Sequence, residues 1–341
     1  MAWQEIQGHD IIFERFRSAH LRGRLSGSFL FIGSSGIGKR RFALALAKGL
    51  LCKGESGIRL EPCGICDSCR LFGVGWQASQ TNQPNQTGMI TNHPDFSYFA
   101  KPADKSFIPL EFLIGSKDHR GEEGFCFDIS RTPYMGNRKV AVIDDADYLN
   151  AEGANAILKT LEEPPPDSLI ILIGTSTAKQ LPTIRSRCRI VRFSPLSPRV
   201  LASILLKNDV VATLDQGLSL ARRSGGSFEL ARELCDDAID KIRAELGKYL
   251  SNRSIDTVQM AVHLNTFVEE AGKEAPLRRK RLRTLLNVAI DHFMEDLKKT
   301  NSHDSMKFIS ERLLNTLEAS GQIDQNANLP YIIDAWCNKF R

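Results

Sequence analysis

Apolar residues fall into two patterns along this chain. In the first part, short unbroken apolar runs alternate with longer stretches in which apolar residues return every three or four positions. The runs are Ser28-Phe-Leu-Phe-Ile32, Lys139-Val-Ala-Val-Ile143 and Leu169-Ile-Ile-Leu-Ile173. Runs this short, with no polar alternation, predict strands buried on both faces, as in a parallel sheet. The periodic stretches predict helices over 10–22, 39–52 and 151–163, the last stopped by Pro164-Pro-Pro166, whose rings cannot continue a helix. Strand, helix and strand of these lengths join by right-handed crossovers, so the expected class is α/β, a parallel sheet flanked by helices. From about residue 196 the strand pattern stops and helical periodicity continues to the end, broken at Gly225-Gly226. The pattern therefore predicts domains at 1–195, 196–244 and 245–341. Residues 77–93 are polar and aperiodic, and are expected to form a surface loop without chemistry of its own.

With 341 residues, 42% of them hydrophobic, the chain has material for more than one core. The net charge of +5 is mildly basic and permits contact with nucleic acid without requiring it. Met1-Ala-Trp-Gln-Glu-Ile6 lacks the basic-then-apolar pattern of a leader, and no apolar stretch reaches the roughly 18 residues of a membrane span. A cytoplasmic protein with no membrane contact is expected.

Four of the eight cysteines crowd into Cys52-x10-Cys63-Gly-Ile-Cys66-Asp-Ser-Cys69. Two successive Cys-x-x-Cys steps let a chain wrap one ion, and four thiolates close a tetrahedral zinc site with no open position, which suits a structural metal. An iron–sulfur cluster is the alternative. Cys126, Cys188, Cys235 and Cys337 are scattered, and read as core or incidental residues.

Gly33-Ser-Ser-Gly36-Ile-Gly38-Lys39 fits the Gly-x-x-x-x-Gly-Lys phosphate loop, and it stands between a predicted strand and a predicted helix. Backbone N–H groups of such a loop cradle phosphates, and the lysine reaches the outer ones. The next residue is Arg40, where hydrolysing loops carry the Ser or Thr hydroxyl that ligates Mg²⁺. Mg²⁺ is therefore expected to be poorly held, and ATP or ADP to bind weakly or not at all; the loop could equally be a retained structural turn. Asp144 and Asp145 end the next long strand. Asp144 is placed to hold Mg²⁺ through water, and Asp145 to orient an attacking water, with a side chain one methylene shorter than the usual Glu. These carboxylates could also merely cap the following helix.

Asp144-Asp-Ala-Asp-Tyr-Leu-Asn150, Asn155-Ala-Ile-Leu-Lys-Thr-Leu-Glu-Glu-Pro-Pro165 and Leu181-Pro-Thr-Ile-Arg-Ser-Arg-Cys188 together resemble the central signature of bacterial clamp-loader ATPases. With the phosphate loop and the cysteines, the resemblance covers residues 5–195. It implies a P-loop AAA+ domain with a small inserted zinc module at 52–69, a helical lid and an all-α collar domain through which subunits assemble. Arg40 and the Asp144-Asp145 pair look more like the delta-prime type than the ATP-hydrolysing gamma/tau type. Glu229, in Gly226-Ser-Phe-Glu-Leu-Ala231, stands where hydrolysing members carry an arginine that senses the γ-phosphate, and Thr175 or Ser176 falls at the first phosphate sensor. The triplet Ser186-Arg187-Cys188 is similar to the one whose arginine enters the ATP site of the adjacent subunit. The resemblance thus implies that Arg187 is catalytic in trans, in a non-catalytic subunit of the DNA polymerase III holoenzyme. The implied partners are gamma/tau and delta subunits in a hetero-oligomeric ring, the sliding clamp and primed DNA.

The basic run Leu277-Arg-Arg-Lys-Arg-Leu-Arg-Thr-Leu-Leu286 is overlaid by Leu282, Leu285, Leu286, Ala289, Ile290 and Phe293 at helical spacing, so a solvated basic face is expected. His93-Pro-Asp95 resembles a family loop and is given no catalytic role. Two other functions are open: an independent AAA+ ATPase of the gamma kind, and a zinc-dependent nucleic-acid-binding module.

Overall fold

The computed structural model describes residues 6–340 except 55, 56, 58, 73–90, 103, 104, 137, 236, 252–255, 301, 325 and 326. Of the polar segment 77–93, only the last three residues are among those described. The chain divides into two compact units, Met1–Val200 and Leu201–Arg341.

In the first unit five strands form one parallel sheet: β1 (Gly27–Ile32), β2 (Phe96–Phe99), β3 (Lys139–Ile143), β4 (Ser168–Gly174) and β5 (Arg189–Arg192). The order across the sheet is β2-β3-β4-β1-β5, with Gly27 beside Leu169 and Phe29 beside Arg189 in register. Around it lie α1 (Asp10–Leu21), α2 (Lys39–Leu51), α3 (Asp67–Phe72), α4 (Leu110–Ile114), α5 (Phe125–Ser130), α6 (Ala151–Glu162) and α7 (Pro182–Arg185). Successive strand side chains point to opposite faces, so each apolar run feeds two cores. Phe29, Phe31, Val140, Val142, Leu169 and Ile171 join Phe16 of α1 and Phe42 and Leu46 of α2 on one face. Leu30, Ile32, Ala141, Ile143, Ile170 and Leu172 join Leu113, Phe125, Ile157 and Leu161 on the other. Burial on both faces explains why these runs show no polar alternation.

The helix starts have local causes. Gly38 caps α2 with φ of 100°, a conformation that costs a side-chain-bearing residue energy. Asn150 caps α6 by accepting from the Gly153 amide at 2.7 Å. The two outer strands, β2 and β5, and the short helices α3, α4, α5 and α7 lack an apolar signature long enough to be predicted.

The chain passes along α8 (Pro198–Lys207) into the second unit, which holds α9 (Leu214–Arg223), α10 (Phe228–Leu234), α11 (Asp237–Ser251), α12 (Thr257–Glu269), α13 (Ala275–Lys299), α14 (His303–Asp324) and α15 (Leu329–Asn338). Residue 245, where the sequence pattern divides the last two domains, lies inside α11. Leu282, Leu285, Leu286, Ala289 and Phe293 form the buried face of α13. Its basic face is engaged locally: Lys280 pairs with Glu233 at 2.7 Å, and Arg281 stacks 4.1 Å over the Phe267 ring. Trp336 is buried with its indole N–H donating to Thr316 at 2.9 Å. Among the described residues no helix is long and apolar enough to cross a membrane.

Candidate functional site

Because all five strands run the same way, their C-terminal ends share one edge of the sheet, where ligands of open α/β folds bind. That edge carries the phosphate loop after β1, Asp144 and Asp145 after β3, and Thr175 after β4. The structure therefore gathers the phosphate-loop residues Gly33, Gly36, Gly38 and Lys39 and the two acids at one edge of the sheet. It also fills the positions among them with internal bonds. Lys39 is buried, and its ammonium donates to the Gly33 and Ser34 carbonyls at 2.5 and 2.6 Å. The Arg40 Nε donates to Asp144 Oδ2, and the Tyr98 hydroxyl donates to the same oxygen at 2.8 Å. The Asp145 amide donates to Asp144 Oδ1 at 2.8 Å.

Electrostatics reinforce this arrangement. Burial is the largest single influence on Arg40 and lowers its pKa, but Asp144, Tyr98 and Asp145 together outweigh it and raise the value. Burial and then the Asp144 charge hold the Tyr98 phenol protonated, so it stays a donor. Asp145 has φ of 56°, and its carboxyl is pushed up to about 6 by burial first and by the neighbouring Asp144 charge second. At neutral pH the Arg40 guanidinium thus faces two adjacent carboxylates, and the Lys101 charge also acts on Asp145.

Thr175 and Ser176 are distinguished by their partners. Thr175 donates both its amide, at 2.8 Å, and its hydroxyl, at 2.5 Å, to Asp147 Oδ2, while the Gln180 amide group donates to Asp147 Oδ1. Ser176 Oγ accepts from the Lys179 amide.

Arg187 lies elsewhere. It sits between α7 and the N-terminal end of β5, bonded through Nε to Glu162 at 2.9 Å and through a terminal nitrogen to the Thr183 carbonyl at 3.2 Å. The register of Phe29 with Arg189 sets this turn near the start of β1, whereas the phosphate loop follows its end. At about 3.3 Å per residue, the length of β1 separates the two by on the order of 20 Å. In the second unit, Glu229 of α10 faces Lys280 at 3.7 Å.

The four clustered cysteines converge: the Sγ atoms of Cys52, Cys63, Cys66 and Cys69 all lie within 4.8 Å of one another. Cys63 and Cys69 are 3.9 Å apart, close to the roughly 3.8 Å that Zn–S bonds of about 2.3 Å give at tetrahedral angles. Backbone amides of Gly54 and Cys63 point at Cys52 Sγ, that of Cys66 at Cys63 Sγ, and that of Cys69 at Cys66 Sγ, at 3.3–3.4 Å. Amide donors of this kind stabilise thiolates. Those from Cys66 and Ile65 pull the Cys63 thiol down to about 6, while burial drives Cys69 upward. The group can hold a metal ion.

His93 is buried and links this module to the sheet. Its Nδ1 accepts from the Asp95 amide at 3.1 Å, which leaves the proton on Nε2 to donate to Ser68 Oγ at 2.8 Å. Ser68 in turn donates to the Leu51 carbonyl, so the pair is a structural tie with no free nucleophile. Asp95 accepts from the amides of Tyr134, Met135 and Gly136.

The family described as DNA polymerase III, delta subunit, matches residues 8–197. The chain belongs to this family. DNA polymerase III subunit delta′ of Pseudomonas aeruginosa is 31% identical over 230 residues, 66% of this chain and 60% of that protein. The Bacillus subtilis delta′ is 32% identical over 189 residues, 55% of this chain and 48% of its own. DNA polymerase III subunit tau of Escherichia coli is 28% identical over 277 residues, 76% of this chain and 38% of its own. The chain thus spans about half the length of these curated relatives.

The family match places residues 8–197 among polymerase III subunits, but the roles of four side chains had no signal in the sequence. Tyr98 and Gln180 belong to no motif. Asp147 and Glu162 lie inside quoted motifs, yet only the fold shows what they hold.

Proposed function

We propose that this chain is a delta-prime-type subunit of a DNA polymerase III clamp loader. In this reading the AAA+ unit packs in a hetero-oligomeric ring beside gamma/tau and delta subunits, and helps place the sliding clamp on primed DNA. Arg187 enters the ATP site of the neighbouring subunit and offsets charge building on the transferred phosphoryl group. The ring draws its energy from the neighbours' ATP, and the degenerate site at Gly33–Lys39, Asp144 and Asp145 holds ATP or ADP weakly or not at all. Cys52, Cys63, Cys66 and Cys69 hold a structural zinc ion; a single-ion spacing supports zinc over an iron–sulfur core. Residues 196–244 act as the lid and 245–341 as the collar.

The observation that carries this reading is the position of Arg187. It stands at the sheet end opposite the chain's own phosphate loop, out of reach of any phosphate bound there, and its side chain is partly exposed. A second reading, an ATP-hydrolysing gamma/tau-like subunit, draws support from the similarity to tau. The two differ in whose ATP is cleaved.

The test is the DNA- and clamp-stimulated ATPase of the motor subunits plus delta, with this chain, with its Arg187→Ala variant, and with neither. We expect the unchanged chain to restore turnover. Arg187→Ala should still assemble but slow the adjoining site by on the order of 10³. Equal activity of the two chains would remove the trans role, and turnover by the isolated chain, lost in Lys39→Ala, would favour the gamma-like reading.

A further inference from the structure

A P-loop fold implies Mg²⁺–nucleotide, and the residues present do not fit it. Residue 40 is the position from which a hydroxyl reaches Mg²⁺ in hydrolysing loops; here its Arg40 guanidinium is bonded to Asp144 Oδ2. The Tyr98 hydroxyl takes the same oxygen at 2.8 Å. A carboxylate oxygen offers two lone pairs, and both on this atom already have protein donors. The Asp144 side chain is 6% exposed and that of Arg40 50%, so the cation reaches a buried acid from a partly open position. A divalent ion brought to that acid would meet the Arg40 positive charge beside a buried carboxylate, where like charges repel. The lysine of the loop, meanwhile, is turned back onto the Gly33 and Ser34 carbonyls.

We propose that Arg40 is a resident counter-ion occupying the divalent-metal position of this phosphate loop, so that the site rejects Mg²⁺–nucleoside polyphosphate and keeps its shape without a ligand. Tyr98 is the second half of the device: it completes the coordination of Asp144 that a metal's water shell would otherwise satisfy. The inference stands on this geometry and does not rest on the ring or on Arg187.

Calorimetric titration of the full chain with ATP, in MgCl₂ and in EDTA, reads the effect directly, together with electron paramagnetic resonance of Mn²⁺ in the presence of ATP. The unchanged chain should show no metal-dependent binding of ATP and no ATP-dependent immobilisation of Mn²⁺. Arg40→Thr restores a hydroxyl and frees Asp144, and should gain Mg²⁺-dependent ATP affinity of about tenfold or more; adding Asp144→Asn should abolish the gain. Tighter ATP binding by the unchanged chain in MgCl₂ than in EDTA would overturn the proposal, as would a folded Arg40→Thr that gains nothing. Should Arg40→Thr not fold, the Mn²⁺ measurement on the unchanged chain decides: immobilised Mn²⁺ sinks the idea and free Mn²⁺ supports it.

Discussion

Asp144 and Asp145 are neighbours in sequence with opposite fates. Asp144 is buried but holds three donors, from Arg40, Tyr98 and the Asp145 amide. Asp145 is poorly solvated beside that negative charge, and its carboxyl is raised to about 6 from an ordinary 3.8. The sign follows from linkage: an acid whose folded pKa exceeds its unfolded one favours folding while protonated, and that contribution is lost as pH climbs from about 4 to about 6. Asp145→Asn removes the penalty and keeps a residue type that tolerates the positive φ. It should stabilise the protein by up to about 3 kcal/mol at pH 7.5, the rise from 3.8 to about 6 taken at about 1.4 kcal/mol per pKa unit, and by little at pH 4. Thermal melts of both proteins across that range check it; a pH-independent difference would mean that the burial of Asp145 is not what sets its energy.

At the scale of elements, the cysteine module shows how a small insertion is fastened. The chain after Cys52 folds down onto α2, and a Cβ at Gly49 would sit 2.3 Å from the Leu60 carbonyl oxygen, so a bare Cα lets the two backbones meet. On the far side Ser68 ties α3 to the end of α2 and to His93 ahead of β2. Such a module has little core of its own, and its four thiols, all within 4.8 Å of one another, are held most stably by an ion. Metal analysis should find about one zinc per chain. Cys63→Ser should lose most of it and lower the melting temperature by several degrees; full retention of zinc would show that Cys63 is not a ligand.

At the scale of the whole molecule, the second unit carries its own aromatic and polar contacts. Phe293 stacks on Phe340, Trp336 meets Phe340 edge to face, and Arg312 lies 4.1 Å over the Phe308 ring while donating to the Leu250 carbonyl. A cluster with these internal partners should be a cooperative unit. Residues 197–341 expressed alone should stay helical and unfold in one sigmoidal transition by circular dichroism, whereas a gradual loss of signal would show that this core depends on the first unit.

The sequence by itself determined the central strands, the long helices, the phosphate-loop and cysteine motifs, and the family. Each of these is a local signal: an apolar run, a helical period, a spacing of ligands, or a string of motif residues. β2 and β5 were missed because they lie at the sheet's edges, where burial is partial and an apolar run is not required; Arg189-Ile-Val-Arg192 begins and ends with exposed charge. What only the tertiary structure decided is which of the charged groups meet. Arg40 and Asp144 are 104 positions apart in the chain, and Tyr98 belongs to no motif, yet parallel strands bring all three to one edge. The same parallel order sends Arg187 to the opposite edge. Pairing of charges depends on distance in space, and no periodicity along the chain records it.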